Sequence, residues 1–147
     1  MNKLKLKEIN AKILDNHREI TGFYSEYAKS VGLTFAGLII LFILWEEGKC
    51  TQSHIVKKTI FPKQTVNAII KSFINEGIIV LSEEPSTDRR NKVITLTAEG
   101  KKFSDRVMTK IEDAQCKSLD FLGNEKAQLL IDALDKYKDN LKNNIRG

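Results

Sequence analysis

Histidine, cysteine and proline each occur only twice in this sequence, and each scarcity removes a class of explanation. Cys50 and Cys116 lie far apart, so there is neither a disulfide framework nor the paired spacing of a structural zinc site. A reduced, cytoplasmic setting is the expectation. His17 and His54 fall in separate predicted helices, and nothing around them has ligand spacing, so no metal and no cofactor are expected. No proline-rich linker, low-complexity segment or internal repeat divides the chain, which reads as a single domain over 1–147. A glycine-rich phosphate loop, a nucleophile motif and a paired-carboxylate motif are missing, which leaves no catalytic residue to assign and argues against an enzyme. The longest apolar run, Val31 to Trp45, is bounded by Lys29 and Glu46-Glu47. It is shorter than the ~20 residues a membrane-spanning helix needs. The leading MNKLKLKE has no apolar core and is not read as a signal peptide, so no membrane partner is expected.

What the sequence does contain is a localised charge. Its net +5 comes from 24 basic and 19 acidic side chains. Residues 1–48 hold 6 of each sign and residues 103–147 hold 8 of each, whereas residues 49–102 hold 10 basic and 5 acidic. The whole excess therefore sits in the middle third. A basic patch on an otherwise neutral chain is the footprint of a polyanion site. The plainer alternative is a solvated, lysine-rich surface.

Hydrophobic spacing supplies the framework. Leu6, Ile9, Ile13, Ile20, Phe23 and Tyr27 recur at helical intervals and predict a helix over 4–29. Gly32-Leu33-Thr34 breaks it, with Thr34 as N-cap of a buried helix Phe35 to Glu47 that Gly48 stops. Cys50 falls in a short connector or strand. Thr51 caps a short helix reaching Lys58. After a turn at Ile60-Phe61, Pro62 suits the first position of the next helix. There Val66, Ile69, Ile70, Phe73 and Ile74 predict one buried stripe, and Gly77 a left-handed C-cap. Ile78–Leu81 and Lys92–Leu96 read as strands flanking the turn signal Pro85-Ser86-Thr87-Asp88 and the basic group Arg89, Arg90 and Lys92. Thr97 caps a helix to about Leu122. Gly123-Asn124 interrupts, and Leu129, Leu130, Ala133, Leu134, Tyr137 and Leu141 mark a last amphipathic helix. The predicted architecture is mainly α with a small β-hairpin, the outline of a winged helix-turn-helix. Its terminal helices have more apolar surface than a small winged domain covers, which implies a homodimer.

Opposite the predicted stripe of the 62–77 helix lie Gln64, Thr65, Asn67, Ala68 and Lys71. These are small or hydrogen-bonding groups of the kind that read base edges, asparagine and glutamine being able to pair bidentately with adenine. Gln64, Thr65, Asn67 and Lys71 are the base-reading candidates, and Lys63 a phosphate contact that positions without specifying. Ser53, His54 and Lys57 are further phosphate candidates on the preceding helix. The alternative for all of these is an ordinary solvated face.

Asp88-Arg89-Arg90, then Val93-Ile94-Thr95-Leu96-Thr97-Ala98-Glu99-Gly100, resembles the MarR family of bacterial transcriptional regulators. So does Gln64-Thr65-Val66-Asn67 through Glu76-Gly77. The similarity extends over the chain in length and helix order. It implies a homodimer joined by helical regions at 1–30 and 101–147, with a winged helix-turn-helix DNA-binding region at 34–100. It also implies a double-stranded, pseudo-palindromic operator. The recognition helix would enter the major groove and a wing arginine the minor groove, Arg90 ahead of Arg89. The resemblance further implies repression relieved by a small aromatic or acidic ligand. One departure stands out. Members commonly place a basic residue four positions after the glycine ending the recognition helix, whereas this chain has Leu81, followed by Ser82, Glu83 and Glu84.

Three alternatives remain open at the level of sequence. A winged helix can serve only as a protein-interaction module, although one used so more often exposes apolar residues than arginines. Cys50 or Cys116 can act as a redox sensor, or be inert packing. His17, Tyr24, Tyr27, Phe35 and Trp45 suit the lining of an effector pocket, and equally suit a core.

Overall fold

The run from Phe35 to Trp45 is apolar on every side, and a helix of that kind belongs at the centre of a core. In the computed structural model, which describes residues 1–82 and 92–147, it occupies that place. Helix α1 spans Lys3–Ser30 and the core helix α2 spans Phe35–Glu47. Strand β1, Lys49–Thr51, leads into α3, Gln52–Lys58, and α4, Lys63–Asn75. Strands β2, Ile79–Ser82, and β3, Val93–Leu96, precede α5, Ala98–Leu122, and α6, Asn124–Arg146. Two compact units result, Met1–Val107 and Met108–Gly147. No single helix among the described residues is long and apolar enough to cross a membrane.

Leu38, Ile40, Leu41 and Leu44 of α2 are buried, together with Ile55 of α3, Val66, Ile70 and Phe73 of α4, Ile79 of β2 and Ile94 of β3. The predicted caps close the helix ends. Thr34 Oγ1 accepts from the Gly37 N–H at 3.0 Å, and Thr51 Oγ1 accepts from the His54 N–H at 3.2 Å. Each satisfies a donor that a helix's first turn otherwise leaves unpaired.

The sheet is antiparallel in the order β1-β3-β2. Ile94 lies opposite Cys50 on one side and Leu81 on the other, and it is wholly buried. The segment around Cys50 is thus a true strand, and the expected two-stranded hairpin has a third member. β2 is an outer strand with Val80 and Leu81 partly exposed. The other outer strand, β1, carries an exposed Lys49.

Two local expectations are corrected. Pro62 is the N-cap of α4 rather than its first helical residue: its ψ of 149° is extended, and its carbonyl accepts from the Val66 N–H at 3.1 Å. The buried stripe of α4 is narrower than its spacing implied. Ile69 is half-buried and Ile74 is exposed, because the covered face of α4, packed by α2, α3 and β2, fully buries Val66, Ile70 and Phe73 only.

Candidate nucleic-acid interface

The end of α4 is fixed by its own chemistry. Gly77, at φ +73°, takes the left-handed conformation that a side chain resists. Its N–H donates to the Ile74 carbonyl at 3.1 Å, while the Ile78 N–H reaches back to the Phe73 carbonyl at 2.9 Å. This pair of bonds is the Schellman arrangement, accompanied by burial of both Phe73 and Ile78.

The start of α5 is pinned to the same point. The Ile78 carbonyl accepts from the Thr97 N–H at 3.0 Å. The Thr97 hydroxyl donates to the Gly77 carbonyl and accepts from the Gly100 N–H at 2.9 Å, capping α5. A Cβ on Gly100 would lie 1.9 Å from the Ile78 oxygen, so only glycine allows this crossing. The Leu-Thr-Ala-Glu-Gly sequence is therefore the seam between α4, the sheet and α5.

With its buried side set by Val66, Ile70 and Phe73, α4 turns Gln64, Asn67, Ala68 and Lys71 to solvent. Their spacing of three and four residues places them on one stripe opposite the core. Lys63 is exposed at the helix start, while Thr65 is half-buried at the margin of the stripe. Lys92 is exposed just before β3. Arg89 and Arg90 lie outside the described residues.

On α3, Ser53 and Lys57 are exposed, but His54 is engaged. His54 Nε2 lies 2.7 Å from Glu47 Oε2 and 3.0 Å from Oε1, and the Lys58 ammonium donates to the same carboxylate. The Lys58 hydrogen bond, and secondly that of His54, hold the Glu47 carboxyl below its ordinary range. The cluster ties α3 to the end of α2 and directs the His54 ring toward Glu47. Sequence reading missed this, because Glu47 lies seven positions before His54 in a different helix.

The five effector candidates are dispersed. His17 is exposed on α1. The Tyr27 hydroxyl donates to the Val107 carbonyl at 2.8 Å; burial pushes its pKa up and Arg106 pulls it down. Phe35 meets Phe61 edge to face, with centroids 6.2 Å apart. Trp45 Nε1 donates to Asp105 Oδ1 at 2.7 Å, and Tyr24 is half-buried. A cavity of about 510 Å³ opens elsewhere in the first unit, between the α1–α2 turn at Gly32, the α4 terminus at Gly77 and the first turns of α5. Lys102, Phe103 and Arg106 line it, and none of the five candidates does.

Cys50 is buried and Cys116 exposed. Burial first, and the Glu47 charge second, push the Cys50 thiol up to about 11. At neutral pH it is a protonated, poorly nucleophilic group. Among the described residues no cluster of histidine, cysteine, aspartate or glutamate is arranged to hold a metal ion.

A core helix, two shorter helices joined by a turn, an exposed polar stripe on the second and a small antiparallel sheet define a winged helix-turn-helix protein. The MarR family model matches residues 31–90. The HTH-type transcriptional regulator SarZ of Staphylococcus epidermidis is 24% identical over 120 residues, covering 82% of this chain and 79% of that protein. A MarR family regulator from Neisseria meningitidis matches in structure with a TM-score of 0.75 and 25% identity, over 99% of this chain and 98% of its own. The Staphylococcus aureus MarR in complex with salicylate and kanamycin shares the fold, with a TM-score of 0.77 at 16% identity and coverage of 96% and 95%. The family match over residues 31–90, these relatives and the shared fold together support a MarR family winged-helix regulator.

Proposed function

We propose that the protein is a homodimeric repressor that binds a pseudo-palindromic operator in double-stranded DNA. The observation that carries this is the solvent-facing stripe Gln64, Asn67, Ala68 and Lys71, within the segment that holds the chain's entire positive excess. Lys63, Lys92 and the arginines Arg89 and Arg90 add phosphate or groove contacts. Ser53 and Lys57 add contacts from α3, while His54 acts through its bond with Glu47. The homodimer is supported by helices that find little cover in one chain. α6 has no buried residue, yet Leu129, Leu130, Ile131, Leu134 and Leu141 line it. On α1, Leu4, Leu14, Ile20 and Phe23 are exposed. Two recognition helices related by a two-fold axis then meet half-sites about one helical turn, ~10 bp, apart.

The effector we assign is a small aromatic or acidic molecule. Salicylate, present with the Staphylococcus aureus relative, is of that class. The cavity beside Gly77 suits it better than the five dispersed aromatic and histidine candidates, since Phe103 offers a ring and Arg106, stacked 5.6 Å from that ring, a cation. A ligand there would bear directly on the end of the recognition helix.

The test is fluorescence anisotropy on a duplex from the region upstream of the protein's own gene, in rising salt, followed by nuclease footprinting. Binding should weaken steeply as counterions are released at each phosphate contact, and an inverted repeat should be protected. Binding that ignores salt, or no binding to any flanking duplex, refutes the reading. It would leave the winged domain as a protein-interaction module.

A further inference from the structure

Ile60, in the turn between α3 and α4, is 94% exposed, more than any other large aliphatic side chain among the described residues. A lone exposed aliphatic group is ordinary, but the setting of this one is not. The next residue, Phe61, is held edge-on against Phe35, and Pro62 begins the cap of α4. The turn is therefore fixed from its inner side while Ile60 is left uncovered. Its neighbours in sequence Lys57, Lys58, Lys63 and Gln64 are exposed and polar. A protein-docking patch needs a contiguous apolar area of some hundreds of Å², and one isoleucine among lysines does not offer that. Ile60 comes three positions before the first residue of α4. In helix-turn-helix proteins that end of the recognition helix meets the base edges. Among the groups that bases present in the major groove, the C5 methyl of thymine is the apolar one.

We infer that Ile60 packs on a thymine methyl at the edge of the major groove, so that one base in each half-site is read without a hydrogen bond. This rests on the DNA-binding reading above and adds a specificity residue to it.

The experiment uses full-length protein and a duplex that it selects from a random pool. Each thymine is replaced in turn by deoxyuridine, which removes only the methyl group. At one thymine per half-site the wild-type protein should lose about fourfold in affinity, the worth of one buried methyl. Ile60→Ala should bind the thymine duplex correspondingly less well and be indifferent to that replacement. Ile60→Gln, of similar length but polar, should also lose the methyl effect. Because Ile60 is uncovered, both variants should melt as the wild type does. Equal uracil effects in wild type and Ile60→Ala overturn the inference, as does selection of half-sites with no preferred thymine. Unchanged DNA binding by Ile60→Ala also overturns it. Failure to select any duplex refutes the DNA-binding reading itself, an outcome distinguishable from the others.

Discussion

Trp45 and Asp105, 60 positions apart, are joined by a 2.7 Å hydrogen bond from the indole Nε1 to a carboxylate oxygen. The bond ties α2, the core helix of the winged region, to the third turn of α5. A donor to a charged acceptor is stronger than a neutral pair, and removing the acceptor leaves a half-buried indole N–H unpaired. Asp105→Ala should lower stability in urea by about 1–2 kcal/mol, and Asp105→Asn by less, since an amide oxygen still accepts. Identical urea midpoints for wild type and Asp105→Ala would show that water replaces the carboxylate without loss.

The crossing at Gly100 sets a second expectation. Because a methyl group would lie 1.9 Å from the Ile78 oxygen, Gly100→Ala should destabilise by about 3 kcal/mol or more, at the top of the range for overpacking. Thr97→Ala, which removes the cap but adds no clash, should cost about 1 kcal/mol. Circular dichroism melts of the two variants check the order. A Gly100→Ala protein as stable as wild type would mean that the seam relaxes.

The cluster at Glu47 predicts a pH dependence of definite sign. The Glu47 carboxyl is held below its ordinary value of 4.5, first by the Lys58 hydrogen bond and then by His54. A carboxyl depressed in the folded state adds stability above its unfolded pKa, and that stability is lost as pH falls through the folded value. The melting temperature of the wild type should therefore drop on acidification below the ordinary glutamate range. Glu47→Gln should drop less over the same interval. Parallel curves would place the acid sensitivity elsewhere.

Cys50 should be inert. With its thiol pushed up to about 11 and its side chain buried, it should resist iodoacetamide at pH 7.5 until the protein is unfolded. Mass spectrometry before and after denaturant gives the answer. Labelling of Cys50 in native protein would reopen the redox reading.

At the interface, Lys63 and Asn67 should behave differently. Lys63→Ala should weaken binding to all duplexes alike and reduce the salt slope by about one. Asn67→Ala should relax preference at one base pair by about 1–3 kcal/mol, leaving the slope unchanged. Competition titrations with single-base variants separate the two effects.

Much of this fold is legible in the chain because its boundaries are marked by residues with a single local job. Thr34, Thr51 and Thr97 cap helices as expected, and Gly77 ends one. Lys49-Cys50-Thr51 was ambiguous because three residues are too few to show an alternation; only pairing with β3 settles it. Spacing places Ile74 with the core, because it gives direction but not the width of the surface that covers the helix. The exposed stripe of α4 was readable as the complement of its buried face. The engagement of His54 by Glu47 was not, since it depends on how α2 and α3 meet. The same holds for the aromatics: Phe35, Trp45 and Tyr27 share a composition that suits a pocket, but each is committed to a different neighbour.

The order β1-β3-β2 has a practical consequence for handling the protein. β2 presents one row of its backbone N–H and C=O groups outward, beside the partly exposed Val80 and Leu81. Such an edge is a template on which a foreign strand can grow. The opposite edge has Lys49 as a gatekeeper, whereas Ile79–Ser82 contains no charge. If concentrated stocks cloud on standing, the nucleus should form along that unguarded border, and a lysine in place of Val80 should clear them.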